Sequence, residues 1–152
     1  MKIKRMPIVF HQIIRASSRC KFSQWHYTAK ELRNSIVRSG LYGTGPIIYQ
    51  VSNANMDKQE ADYTFYVPVN APVKIENSPK FQYLDVLRLE DGLMIRHADL
   101  DEDIRQSYAL LQTCAQVNGL VLEESFYHIY MDLYGDGIID IFAPILNAAT
   151  EQ

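Results

Sequence analysis

An α+β fold assembled from two strand–helix–strand–strand units is what this 152-residue sequence predicts. Three observations carry that expectation. Residues 32–69 and 111–145 each run helix, strand, polar loop, strand. Both helices close on a glycine followed by leucine, in Ser39-Gly40-Leu41 and Asn118-Gly119-Leu120. Both units finish on an alternating strand that ends in proline flanked by aliphatics, Tyr63-Thr64-Phe65-Tyr66-Val67-Pro68-Val69 and Ile139-Asp140-Ile141-Phe142-Ala143-Pro144-Ile145. Repetition of this kind predicts a single domain over residues 1–152, made of repeats at 6–70 and 81–146 joined by a linker at 71–80. The halves should pack about a pseudo-dyad and leave a cleft where they meet, a natural place for a ligand.

Each element has its own local reason. Met6 to Arg15 is rich in Ile, Val and Phe and reads as a strand, continuing with a bend to Phe22. Thr28 looks like a helix N-cap, with Glu31 as its capping-box partner. Ala29, Leu32, Ile36 and Val37 keep helical spacing, and Gly40 can take the left-handed conformation that ends a helix. Ile47 to Val51 reads as the next strand, residues 52–60 as a polar connection, and Asp62 to Val69 as a third strand. Pro68 lacks a ladder donor and belongs at a strand end or edge.

The proline-containing stretch that follows is the best linker in the chain. Phe81 to Leu89 is a strand pattern, Glu90-Asp91-Gly92 a turn, and Leu93 to His97 another extended run. Asp99 is placed to cap the second helix, with Asp101, Glu102 and Asp103 near its positive end. Ile104, Tyr108, Leu111 and Ala115 form its apolar stripe, and Gly119 repeats the part of Gly40. Phe126 to Met131 and Ile138 to Ile145 complete the second unit.

Bulk properties narrow the function classes. A chain of this length with 47% hydrophobic residues can bury a core of its own. Its net charge of −3 argues against a nucleic-acid footprint, which needs clustered Lys and Arg; Lys2, Lys4 and Arg5 read as a solvated terminus. His11, Gln12 and Arg15 break up the one run that resembles a secretory signal, and no stretch has the length of a membrane span. The expectation is a cytoplasmic protein that binds neither nucleic acid nor membrane. Cys20 and Cys114 specify no disulfide framework and read as structural thiols.

Strand alternation sorts the candidate binding residues. Ile139, Ile141, Ala143 and Ile145 share one face, suited to packing on a helix. Asp140 and Phe142 point the other way, as do Thr64 and Tyr66 in the first unit. Tyr49 and Tyr130 fall at matching positions on the adjoining strands, and Trp25 could wall a cleft from the start of the first helix. A carboxylate among aromatic rings suits an organic cation, because ring faces attract positive charge and a carboxylate in an apolar cleft gains from neutralisation. The bland reading of the same residues is packing, since aromatic residues on strands mostly fill cores. Glu123 and Glu124 read as an exposed loop pair. His97 and His128 each sit in an extended run, where a partner across the sheet is expected rather than a metal.

Three lures fail on inspection. Gly43-Thr44-Gly45-Pro46 lacks the third glycine and the following helix of a dinucleotide loop. Asp132 to Gly137 hints at a calcium loop, but Tyr134 and Ala143 stand where ligands are required. No Ser-His-Asp or Cys-His arrangement has supporting context. The chain is therefore expected to be no enzyme and to carry no cofactor or metal.

Leu93-Met94-Ile95-Arg96-His97, the helix holding Tyr108-Ala109-Leu110-Leu111, the Asn118-Gly119-Leu120 corner and the strand Ile139 to Ile145 together resemble the second half of gyrase-inhibitor-like effector domains. These are the small-molecule-binding domains of many MerR-type and AraC-type bacterial transcription regulators. The resemblance covers most of the chain, and element order carries it more than any motif. It implies an antiparallel sheet with helices on one face and a ligand cleft on the other, often used for lipophilic cations. It also implies a standalone member, because no DNA-binding segment precedes the domain. The leading functional expectation is thus a binding module for a small apolar or cationic ligand, with Asp140, Phe142, Tyr66, Tyr49, Tyr130, Trp25 and Thr64 around it. The alternative is an adaptor or chaperone-like protein partner using exposed aromatics such as Tyr42, Tyr127 or Tyr134. Oligomeric state is left open by the sequence.

Overall fold

The described residues form ten elements, most of them set by hydrophobic alternation along the strands and 3.6-residue periodicity in the helices. The computed structural model describes residues 2–75, 78–98, 103–133 and 136–146. The elements are β1 (Lys4–Arg5), β2 (Ile8–Lys21), α1 (Trp25–Arg38), β3 (Ile47–Asn55), β4 (Glu60–Pro68), β5 (Phe81–Leu89), β6 (Gly92–His97), α2 (Ile104–Val117), β7 (Tyr127–Leu133) and β8 (Asp136–Pro144). They form two compact units, one of Val9–Arg88 and one of Met1–Ile8 with Leu89–Gln152. The expected 6–70 and 81–146 division differs at both seams. β1 pairs with β6 in the later unit, and β5 extends the earlier one.

Within the first unit the strand order is β3-β4-β2-β5. β4 runs antiparallel to β2 over nine pairs, from Ile13↔Pro68 to Lys21↔Glu60, and antiparallel to β3 on its other side. Ala29, Leu32 and Ile36 of α1 are buried, and so are Ile14, Ala16, Tyr63, Phe65 and Val67 on the strands. Pro68 takes the last position of β4, where its missing N–H costs the ladder least. β2 bends at Gln12, whose φ of 57° lies in the left-handed region. The bend is held from both ends, since Val69 N–H donates to Gln12 O at 2.8 Å and Gln12 Nε2 donates to Val69 O at 3.1 Å.

The second unit has the order β1-β6-β8-β7, again strand–helix–strand–strand through β6, α2, β7 and β8. Leu93, Ile95, Leu111, Ala115, Ile139, Ile141 and Ala143 make its core, so the apolar face of β8 packs toward α2 as alternation predicts. Arg5 clamps the β6 turn with a paired bond to Asp91, at 2.9 and 2.7 Å. The Arg5 guanidinium holds the Asp91 carboxyl below its ordinary range by hydrogen bonding first and charge second.

Both helices end as the glycines foretell. Gly40 and Gly119 have φ of 87° and 68°. Leu41 N–H and Leu120 N–H reach back to Ile36 O and Ala115 O, the six-residue closure of a Schellman motif.

The helix starts differ from expectation. α1 begins at Trp25, with Gln24 at the cap position and no side-chain cap bond, so Thr28 lies inside the helix and is not its N-cap. A turn closed by Gln24 N–H on Lys21 O leads directly out of β2, and tertiary placement of Trp25 outweighs the local capping signal. The cap of α2 is Asp103, whose carboxylate accepts from Arg105 N–H at 2.9 Å. The expected cap Asp99, with Asp101 and Glu102, lies outside the described residues. β3 is also longer than Ile47 to Val51. Its polar end pairs with β4 through a bulge between Ser52 and Asn55, with Asn53 at φ 51°. Cross-strand bonding there replaces the hydrophobic signal, as Asn53 Nδ2 donates to Asp62 and Arg19 donates to both Asp62 and Glu60.

One helix-side group yields a pH prediction. Burial, with a smaller contribution from Cys20, pushes the Tyr63 phenol up to about 12. The unfolded phenol titrates near 10, so this contribution to stability is complete below that value and is lost as pH rises through about 12. Urea midpoints of the wild type should fall between pH 10 and pH 12, and Tyr63→Phe should show a smaller fall. Identical alkaline curves would contradict the assignment.

Candidate functional site

The face of each unit away from its helix is built from the residues that alternate outward. In the second unit the ladder places Phe142 of β8 between Met94 of β6 and Tyr127 of β7, and Asp140 between Arg96 and Ile129. Phe142 is fully buried, and Tyr127 and Ile129 are buried beside it. Asp140 is an acid set directly against this apolar group, next to Ile129 in the ladder. Its side chain is 17% exposed.

Asp140 is not an unpartnered acid. Arg96 Nε and Nη2 donate to its two carboxylate oxygens at 2.8 and 3.1 Å. The bond raises the Arg96 guanidinium above its ordinary value. Sequence reasoning missed Arg96 as part of the site. The available signal was its parity with Met94 in the β6 run, but only strand register can set residue 96 opposite residue 140. The arginine itself is 58% exposed, so its head can leave the carboxylate at modest cost.

The position of the first unit that corresponds to Asp140 carries no charge, and neither do its ladder partners Ser17 and Gln50. Four residues before the closing proline, β4 has Thr64 where β8 has Asp140. Thr64 lies opposite Ser17 and their hydroxyls approach to 3.2 Å. Tyr66 takes the position of Phe142. It is buried, donates its hydroxyl to Gln50 Oε1 at 2.6 Å, and lies under the Arg15 guanidinium at 5.9 Å. The two outward faces are therefore alike in shape of ladder and unlike in charge.

Three of the expected site residues lie on the other face. Tyr49 stands opposite Phe65 and is buried on the α1 side. Its ring centroid is 4.5 Å from Trp25, 5.8 Å from Tyr63 and 6.4 Å from Phe65. Trp25 is thus a core-edge residue of an aromatic cluster. Tyr130 stands opposite Ile139 and packs on the α2-side core. Tyr49 and Tyr130 are also not equivalent: Phe65 is three residues before Pro68, whereas Ile139 is five before Pro144. His128, opposite Ile141, is the true counterpart of Tyr49. Within its own unit, Tyr49 lies on the sheet face opposite Thr64 and Tyr66, and Tyr130 on the face opposite Asp140 and Phe142, because directly opposed strand residues share a face.

The buried histidines find partners on α2. His97 Nδ1 lies 3.0 Å from Ser107 Oγ, and His128 Nε2 is hydrogen-bonded to the Tyr108 hydroxyl. Among the described residues no group of His, Cys, Asp or Glu could hold a metal ion, and no helix is long and apolar enough to cross a membrane. Of the aromatics considered for a protein contact, Tyr42 is exposed, Tyr127 is buried, and Tyr134 lies outside the described residues. Glu123 and Glu124 are exposed as expected.

Comparison with known proteins follows the same lines. A family described as a domain of unknown function (DUF5085) matches residues 12–145. No curated protein matches the sequence. The C-terminal domain of EcmrR is similar in structure, with a TM-score of 0.68 at 19% identity over 97% of this chain and 99% of that one. A hydrolase from Listeria innocua gives 0.64 at 9% identity, over 95% of this chain and 92% of the other. SAV2435, solved bound to tetraphenylphosphonium, gives 0.53 at 11% identity, over 100% and 98%. At these identities the likeness is one of fold, and it agrees with an α+β architecture of two strand–helix–strand–strand units.

Proposed function

We propose that this chain, which belongs to the DUF5085 family, is a small-molecule receptor of the gyrase-inhibitor-like effector type, and that it takes lipophilic cations at Asp140. The observation that carries the reading is the mostly shielded Asp140 carboxylate, set against the buried Phe142, Tyr127 and Ile129 and held by an arginine whose own head is solvent-accessible. Such an arrangement gives the acid a compensating partner of its own, which avoids the cost of a lone charge in apolar surroundings. An organic cation would displace Arg96 to solvent and take its place. The ability of SAV2435, a neighbour in fold, to hold tetraphenylphosphonium supports the choice of ligand class. The uncharged Ser17–Thr64 pair at the matching ladder position supports one cation site per chain. The role needs no covalent chemistry, and an arginine as the partner of the acid suits binding better than proton transfer.

Titration calorimetry with tetraphenylphosphonium tests this. Asp140→Asn should weaken binding at least tenfold. Arg96→Met should strengthen it, because the carboxylate then has no internal competitor. Equal affinities in the wild type and both variants would remove Asp140 from the binding site.

A further inference from the structure

A cavity lies inside the Val9–Arg88 unit, on its helix side. It is a groove of about 390 Å³ beside α1, over β2 and the start of β5. Its floor is apolar, formed by Ala16, Leu32 and Phe65, all buried. Its walls carry charges of both signs, from Glu31 and Arg38 on α1 and Lys80 just before β5.

The helix is patterned for this groove. Ala29, Leu32 and Ile36 turn into the core. Thr28, Glu31, Ser35 and Arg38 follow at intervals of three, four and three, so they form a separate polar stripe on one flank, and all four line the cavity. Glu31 and Arg38 are seven residues apart, too far for the usual direct pair along a helix. Arg38 instead folds back, with Nη2 donating to Ser35 Oγ at 3.2 Å. Its cationic head therefore sits about one helical turn, ~5.4 Å, from the level of Glu31. Among the described residues, Glu31 and Lys80 enter no ion pair. Opposite charges thus share one groove, separated by a gap and underlain by apolar surface.

We propose that this groove binds a small zwitterion with an apolar body, of the amino-acid type. The ammonium would meet Glu31, the carboxylate would meet Arg38 and Lys80, and the body would lie on Leu32 and Phe65. The volume is within the range of small-molecule sites. A ligand with both charges satisfies the walls, whereas a simple cation or anion leaves one sign facing its like.

Three probes of equal ring size decide it by calorimetry or ligand-observed NMR: phenylalanine, phenethylamine and 3-phenylpropionate. Phenylalanine should bind at least tenfold tighter than either singly charged analogue. Glu31→Gln should abolish its advantage over 3-phenylpropionate, and Arg38→Met its advantage over phenethylamine. These side chains are exposed, so both variants should fold, which circular dichroism would verify. Asp140→Asn should leave phenylalanine binding unchanged, which separates this site from the cation site. Absence of phenylalanine binding at millimolar concentration, equal binding of the three probes, or indifference to Glu31→Gln each overturns the proposal.

Discussion

Gly92→Val should destabilise the protein by about 3 kcal/mol, one of the largest effects expected from any single substitution. The reason is space and not backbone conformation. A Cβ on Gly92 would lie 2.2 Å from Cζ of Phe142, which is fully buried on the neighbouring strand. Gly92 pairs with Pro144 and Met94 with Phe142, so the ring leans diagonally over the glycine, a packing that fills the room a missing side chain leaves. Arg5 and Asp91 clamp the same turn, and Ile145 N–H donates to Asp91 O, so the backbone cannot readily retreat. For a chain of this size the expected loss is about 10 °C in Tm. Gly92→Ala should follow the same direction with a smaller loss. Phe142→Leu in the Gly92→Ala background should recover part of it, because residues in contact couple and do not add. A Gly92→Ala protein as stable as the wild type would show that the ring is free to move.

Phe65→Ala should cost about 3–5 kcal/mol, the range for deleting a buried aromatic ring. Phe65 is 1% exposed, stacks on Tyr63 at 6.0 Å and contacts Tyr49 at 6.4 Å, and Tyr49 in turn supports Trp25 at 4.5 Å. The readout is built in, because Trp25 is the single tryptophan. Its fluorescence should shift to longer wavelength in the folded variant if the cluster loosens, and the urea midpoint should fall. Unchanged emission together with an unchanged midpoint would mean that Phe65 packs independently of the cluster. The same variant should spare binding at Asp140, which belongs to the other unit.

The order of elements was legible before any coordinates because each rests on local chemistry. Periodicity set the apolar face of β8, which packs toward α2, and Gly40 and Gly119 announced helix ends that only a left-handed residue closes easily. Alternation also put Asp140 and Phe142 on the face opposite Ile139 and Ile141. Three kinds of fact were beyond the sequence. Helix starts depended on what Trp25 touches and on the Asp103 carboxylate reaching the Arg105 N–H. The polar half of β3 became strand only because β4 supplies hydrogen bonds to it. Register decided the rest: a two-residue offset separates Tyr49 from Tyr130, and the pairing of residue 96 with residue 140 turns a lone carboxylate into a compensated one. A strand's own residues state which face each side chain takes, since that follows from the pleat. They cannot state which residue of another strand lies opposite, because pairing is made between segments far apart in the chain and its free energy belongs to both.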